Sequence, residues 1–289
     1  MTSFPRARLL VGALMVATAS TSLATAQEEA DIARAAKWQD FAIPFAPPLD
    51  TPIYFSRKLT RETRGNDVRK KSAYELVFRK MGRGYVLEMQ LIHVQTTGPE
   101  EIAELLAMGD RMLGDQKLVF DLSADGQILS VQDAGGTFAR LRTAIEKART
   151  HIAANDITPM AKTMHMAFLD RIVGMDEAAQ QQYFMAMAIP VLKLAGQKVA
   201  GGVTAGDKHF RLDDIDDGNL VLASVADSES ENVAVTETYY VSPFTGLSNG
   251  FDRETSIKFG GITRLSREEG VLSPEPPRAT EIEQPKSAE

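Results

Sequence analysis

Apolar side chains alternate with polar ones over much of the chain, which is the pattern of β-strands with one covered face. The clearest alternation spans residues 74–91, where a glycine-containing turn at 81–84 divides it, and it predicts a β-hairpin. A second hairpin is predicted around the Asp-Gly turn at residues 125–126, and alternating segments return between residues 209 and 267. The pattern indicates an α+β protein with a curved, mostly antiparallel sheet of about ten strands.

Between the two strand-rich regions the apolar residues recur at helical spacing. Residues 135–152 carry one apolar stripe. Thr158 as N-cap, with Pro159 in the first helical position, predicts the start of the next helix, and Asp176 is the predicted cap of the one after it. Pro190 lacks an amide donor and is expected to kink or split that last helix. We expect this central helical segment to pack on or across the sheet.

The first 26 residues have the three parts of a secretory signal: a basic start, an apolar run at 9–19 and a small-residue exit at 24–26. Cleavage near Ala26 would deliver the mature chain to the periplasm or the medium. The apolar run is shorter than a membrane-spanning helix requires, and no later segment reaches that length, so we expect no transmembrane segment in the mature chain. An uncleaved N-terminal membrane anchor is the alternative interpretation.

Composition divides the remainder of the chain into three parts. Residues 27–52 are predicted to form a short helix followed by a proline-rich bridge, because proline ends helices and favours extended or turned backbone. Residues 53–272 are predicted to form a single α+β domain with a helical insert near residues 135–195. Residues 273–289 contain several prolines and few large apolar side chains, and they are expected to be a disordered tail.

The cysteine content and the charge narrow the range of functions. The chain has no cysteine, which excludes disulfides, thiolate metal ligands and cysteine nucleophiles. Its formal net charge is -7. Nucleic acid is therefore not expected as a partner, because nucleic-acid binding depends on basic side chains that neutralise phosphates.

The sequence motifs support no catalytic residue, metal ligand or cofactor. The glycines of residues 201–208 have the spacing of a phosphate-binding loop, but Asp207 separates the second glycine from the lysine, and a strand pattern follows where a helix is needed. The acidic run 213–218 is similar to a calcium loop, but Ile215 occupies a ligand position. The histidines lack metal-binding spacing, and the chain has no Gly-x-Ser-x-Gly elbow.

Methionine is concentrated in the helical segment 158–195. Its thioethers, together with His165, are ligands that favour Cu(I). On a helix, however, His165 and Met166 point about 100° and 200° away from the face that holds Met164, which favours core packing over a metal site. The apolar residues of this segment either fill the core or line a space for a ligand. The candidate ligand-lining residues are Met160, Met164, Phe168, Phe184 and Met187.

Three phrases of the sequence resemble recurring phrases of exported proteobacterial proteins that have no assigned function. They are residues 44–52 (PFAPPLDTP), 120–128 (FDLSADGQI) and 242–247 (SPFTGL). The resemblance implies a curved antiparallel sheet partly wrapped by helices, similar in fold to periplasmic lipoprotein and lipid carriers. It implies no binding residue, since none of the phrases defines one.

Three functional hypotheses follow from these patterns. The first is an exported, non-enzymatic periplasmic protein that binds an apolar ligand, either a lipid or a hydrophobic protein segment, between sheet and helices. The second is a structural or protein-interaction module of the cell envelope, in which sheet edges or the tail contact another envelope protein. The third is a hydrolase with a carboxylate-based site, for which the chain contains no signature.

Overall fold

A computed structural model describes residues 41–63, 66–114, 116–154, 158–199, 202–225, 232–259 and 261–277. The predicted signal sequence, the predicted N-terminal helix up to residue 40 and the tail beyond residue 277 lie outside the described residues.

An open antiparallel sheet of eleven strands dominates the described part of the chain, and this confirms the predicted mostly antiparallel sheet. The strands are β1 (Phe41–Ala42), β2 (Ile53–Thr63), β3 (Asn66–Met81), β4 (Gly84–Thr97), β5 (Lys117–Leu122), β6 (Ile128–Val131), β7 (Lys198–Val199), β8 (Val203–Ala205), β9 (Lys208–Asp216), β10 (Asn219–Ser224), β11 (Val233–Val241), β12 (Ser248–Phe259) and β13 (Ile262–Ser273). The order across the sheet is β6-β5-β4-β3-β2-β13-β12-β11-β10-β9-β8, and β1 pairs separately with β7. The last long strand, β13, therefore lies beside β2 in the middle of the sheet.

Four helices are described, and their starts follow the local sequence. They are α1 (Glu100–Leu113), α2 (Ala134–Ala154), α3 (Pro159–Val173) and α4 (Glu177–Leu192). The predicted caps are confirmed: the Thr158 side chain accepts from the amide of Ala161, and the Asp176 side chain accepts from the amide of Ala179. Helix α4 continues through Pro190 to Leu192, so the proline does not divide it into two helices.

Helices α1 and α4 pack against one face of the sheet, which we call the helix-facing side. Helix α1 contacts β3 and β4, and α4 contacts β6 and β12. Phe55, near the start of the central strand β2, lies between Tyr74 and Phe251, with ring centroids 6.2 Å from each. On the helices, Leu141 and Phe184 are fully buried. Burial of each large apolar side chain contributes about 1.5–3 kcal/mol, so this aromatic and aliphatic layer is the main source of stability.

The segment 43–50 crosses one end of the sheet and fills the space there. Phe45 is buried and meets the ring of Tyr85 edge-on, with centroids 5.0 Å apart. Gly246, in the turn between β11 and β12, has φ 72° and lies against Pro44. A Cβ at Gly246 would overlap the carbonyl oxygen of Pro44, so glycine is required for this contact. We call this the closed end of the sheet.

The opposite end of the sheet holds the turns between β2 and β3 and between β12 and β13, together with the start of α1. The strands that meet here come from distant parts of the sequence, because Ser266 of β13 is opposite Arg61 of β2. We call this the open end. The candidate site lies here, between α1 and the strands β2, β12 and β13.

Candidate functional site

A cleft of about 630 Å³ separates the open end of the sheet from helix α1. Its volume falls within the range of roughly 300–1,000 Å³ that is usual for small-molecule sites. Three elements supply its apolar side chains: Leu59 and Ile257 from the sheet, Ile102, Leu105 and Leu106 from α1, and Met164 from α3.

Helix α1 presents an apolar stripe to the cleft because of its residue spacing. Ile102, Leu105 and Leu106 follow the i, i+3, i+4 pattern, which places their side chains side by side on one helix face. All three are half-buried, whereas Ala103 and Ala107 of the same helix are buried. The cleft therefore leaves an apolar helix face incompletely covered by the described residues.

The floor of the cleft is formed by alternate residues of three adjacent strands. Successive side chains of a strand point to opposite faces, so residues two apart share the helix-facing side. The cleft floor consists of Arg57, Leu59 and Arg61 of β2, Arg264, Ser266 and Glu268 of β13, and Arg253, Thr255 and Ile257 of β12. Four of these nine side chains are arginines, which is unusual for a sheet face that lies beneath a helix.

Acidic partners neutralise the arginines at the inner end of the floor. Nε of Arg57 lies 2.5 Å from a carboxylate oxygen of Glu268, which is largely buried. Burial alone would lower the pKa of Arg57, but its pairing with Glu268 outweighs burial and raises that pKa. Arg253 lies 3.3 Å from Glu237 of the neighbouring strand β11. Each inner arginine therefore already has a carboxylate partner.

Glu237 is the centre of a buried ion cluster. Its side chain is 3% exposed, and its carboxylate lies 2.8 Å from Nζ of Lys193, 3.3 Å from Arg253 and 3.4 Å from Nζ of Lys208. Burial would raise the pKa of Glu237, but the hydrogen bond from Lys193 and the charges of the three cations hold that pKa below its usual value. The Glu237 carboxylate is therefore ionised at neutral pH.

A second buried carboxylate, Asp110, ties α1 to the sheet. Its Oδ2 accepts a hydrogen bond from the Ser72 hydroxyl at 2.6 Å and lies 2.8 Å from Nζ of Lys70. Burial, with the charge of Asp110 as a further cause, raises the pKa of Tyr183 to about 12. Because Asp110 is engaged by both Ser72 and Lys70, this group serves to position α1 and is not arranged as a general base beside a free nucleophile.

The five side chains that the sequence suggests as ligand-lining do not meet on one surface. Met164 lines the cleft and is 47% exposed, whereas Met160, one turn earlier, is 64% exposed and does not line it. Phe184 is fully buried against Phe138. Phe168 and Met187 are half-buried and pack against the core.

Most of the cleft-lining residues were not predicted, although the sequence contains signals for some of them. The α1 stripe has helical i, i+3, i+4 spacing. In β2, Arg57, Leu59 and Arg61 alternate with Lys58 and Thr60, which marks two different faces. Nothing in the sequence, however, shows that β12 and β13 bring further arginines next to that strand.

The suggested metal site is not formed as a cluster. His165 is buried, whereas Met160 and Met164 are exposed. Within the described ranges, no three His, Cys, Asp or Glu side chains are placed to hold a metal ion. None of the helices in the described part of the chain is both long and apolar enough to cross a membrane.

Comparison of the sequence with models of known protein families gave no match, and comparison with curated proteins gave no significant similarity.

Proposed function

We propose that the protein is an exported, non-enzymatic periplasmic protein that binds an apolar ligand or lipid in the cleft between the sheet and the helices. The observation that carries the proposal is the half-buried stripe Ile102, Leu105 and Leu106, which faces Leu59 and Ile257 across a space of about 630 Å³. A ligand that removes these side chains from water gains about 0.8 kcal/mol for each buried methylene, before the costs of association.

The packing at the two ends of the sheet favours the cleft at the open end as the ligand site. At the closed end, Phe45 and Phe78 fill the space beneath the helices, with ring centroids 6.1 Å apart. At the open end, α1 is held to β3 through Asp110 and Ser72, while its apolar stripe is only half-buried. We propose that α1 and α3 form one wall of the ligand site and that the sheet forms the other.

The arrangement of ionisable groups favours binding over hydrolysis. A carboxylate-based hydrolase needs one acid and one base that can each reach the substrate. Of the two acidic residues that line the cleft, Glu268 is ion-paired with Arg57. The other, Glu62, has no second free carboxylate beside it among the described lining residues to serve as its acid or base partner.

A matched pair of variants on α3 tests the proposal. Met164 and Met160 lie one turn apart and are both exposed, but Met164 alone of the two lines the cleft. We expect the delipidated mature protein to bind the uncharged fluorophore phenylnaphthylamine, and Met164→Gln to weaken binding about tenfold through lost apolar contact. Met160→Gln should leave the affinity unchanged.

Two results would contradict the proposal. One is a wild-type protein that neither binds the fluorophore nor carries lipid after purification, which would favour a structural module of the envelope. The other is an equal effect of the two methionine substitutions, since binding would then not involve the cleft.

A further inference from the structure

We infer that the ligand of the cleft is a single-chain amphiphile with a carboxylate headgroup, a long-chain fatty acid, held at the mouth by Arg61 and Arg264. This inference rests on the proposed function and adds the chemical class of the ligand and its orientation. The first supporting observation is the charge of the cleft. Four arginines and two glutamates line it, which gives a local net charge of +2 in a chain whose net charge is -7.

The second observation is that the four arginines are of two kinds. Arg57 and Arg253, at the inner end, lie 2.5 Å from Glu268 and 3.3 Å from Glu237, respectively. Arg61 and Arg264, at the mouth, are exposed and have no ion-pair partner among the residues that the structure describes. The mouth therefore carries two arginines without an ion-pair partner among the described residues, and with Glu62, the other acidic lining residue at this end, its net charge is +1.

The third observation is the register of the two strands. Arg61 is opposite Ser266, and Arg264 lies two residues along β13 from Ser266, so the two arginines are diagonal neighbours on the same face. Diagonal neighbours of this kind are separated by about 7–8 Å, a distance that long side chains bridge. Two guanidinium groups so placed repel each other unless an anion lies between them, and a planar carboxylate matches their hydrogen-bonding geometry.

The size of the cleft fits one acyl chain. If each non-hydrogen atom takes about the 30 Å³ that a water molecule occupies in the liquid, a cleft of about 630 Å³ holds about 20 such atoms. Hexadecanoate is of this size, whereas a phospholipid with two such chains is more than twice as large. The chain would lie along Ile102, Leu105 and Leu106, with its headgroup between Arg61 and Arg264.

The test compares two amphiphiles of equal chain length in displacement of phenylnaphthylamine from the full mature protein. We expect wild-type protein to bind hexadecanoate about tenfold more tightly than hexadecanol, as two partly solvated ion pairs would give. In the Arg61→Gln/Arg264→Gln double variant, we expect that preference to fall to within about twofold, with hexadecanol binding unchanged. Raising the salt concentration should reduce the preference in wild type, because exposed charges are screened.

A matched control removes two positive charges elsewhere. Arg83 lies in the turn between β3 and β4 and Arg211 lies in β9, and both are exposed and outside the cleft lining. The Arg83→Gln/Arg211→Gln variant should keep the wild-type preference for hexadecanoate. If this control variant loses the preference for hexadecanoate as fully as the Arg61→Gln/Arg264→Gln variant, the net charge of the protein determines the preference, and the inference is wrong.

The outcomes separate this inference from the proposed function. Equal binding of hexadecanoate and hexadecanol by wild type would overturn the headgroup assignment and leave the apolar cleft in place. Stronger arginine-dependent binding of hexadecyl phosphate than of hexadecanoate would replace the carboxylate with a phosphate. Failure of every amphiphile to displace the bound fluorophore, or a protein that neither binds the fluorophore nor carries lipid after purification, would refute the proposed function itself.

Discussion

Substitution of Glu237 by glutamine tests whether the buried ion cluster stabilises the fold by holding the end of α4 on the sheet. The substitution keeps the size of the side chain and removes the negative charge that Lys193, Arg253 and Lys208 share. Removing one member of a buried ion pair costs about 3–5 kcal/mol, because the remaining charge is left unpaired. The three cations here have side-chain exposures of 17%, 44% and 24%, so water compensates in part, and we expect a loss of about 3 kcal/mol.

The measurements are urea unfolding and thermal unfolding of the purified protein at neutral pH, each followed by circular dichroism. For a chain of this size, a loss of about 3 kcal/mol corresponds to a melting temperature lower by about 6–12 °C. The control is Glu254→Gln, in the next strand, β12. Glu254 is 2.9 Å from Arg267 in an exposed ion pair, so the same substitution should cost less than about 1 kcal/mol.

The pH dependence gives a second measurement of the same cluster. The folded-state pKa of Glu237 lies below its ordinary value, so its contribution to stability is complete above the unfolded-state pKa of about 4.3 and is lost as the pH falls through the folded-state value. Glu237→Gln should therefore flatten the acid side of the stability profile. If Glu237→Gln costs no more than Glu254→Gln and leaves the acid profile unchanged, the cluster does not stabilise the fold in this way.

Two further predictions concern the buried aromatic layer. Burial raises the pKa values of Tyr74, Tyr183 and Tyr239. Their contribution to stability is therefore complete below the unfolded-state pKa of about 10 and is lost as the pH rises through the higher folded-state values. Tyrosinate absorbance should show at least these three of the six tyrosines un-ionised until alkaline unfolding. Titration of all six near pH 10 in folded protein would contradict this. Gly270→Ala should destabilise by about 1–3 kcal/mol in urea unfolding, because its Cβ would overlap the Phe251 ring, whereas Gly135→Ala, in α2 with open space around it, should not destabilise.

The strand and helix pattern could be predicted wherever local chemistry decides the backbone. Thr158 and Asp176 cap the helices as predicted, because an N-cap depends only on residues within one turn. The hairpin formed by β3 and β4 follows from alternation and a tight turn. The short strand β8, which lies within a segment rich in small residues, could not be recognised, because its pairing with β9 and not its composition makes it a strand.

The candidate site depends on contacts between residues far apart in the chain, and this is why sequence patterns gave little of it. The basic residues Arg57 and Lys58 suggest a solvated face, but the pairing of β2 with β13 places Glu268 beside Arg57 under α1. The methionines suggest a ligand space because methionine packs irregular surfaces, yet Met164 alone of the five candidate residues lines the cleft. Register across the sheet is set by side-chain burial and turn geometry over the whole fold, which a local pattern does not contain.

The helix-facing side of the sheet changes in character along the strands, and this gradient gives the proposed site a direction. Near the closed end it is aromatic, with Phe55 packed against Tyr74 and Phe251. Two residues further along β2, Arg57 lies beside Glu268, so its charge is neutralised within the protein. At the mouth, Arg61 lies on the same face without an acidic partner among the described residues, so the proposed headgroup would be the counter-ion at that position. A fatty acid that enters with its apolar chain first would stop at the Arg57–Glu268 ion pair, before its chain reaches the aromatic residues. Breaking this buried ion pair would cost more free energy than the burial of a few more methylenes would contribute.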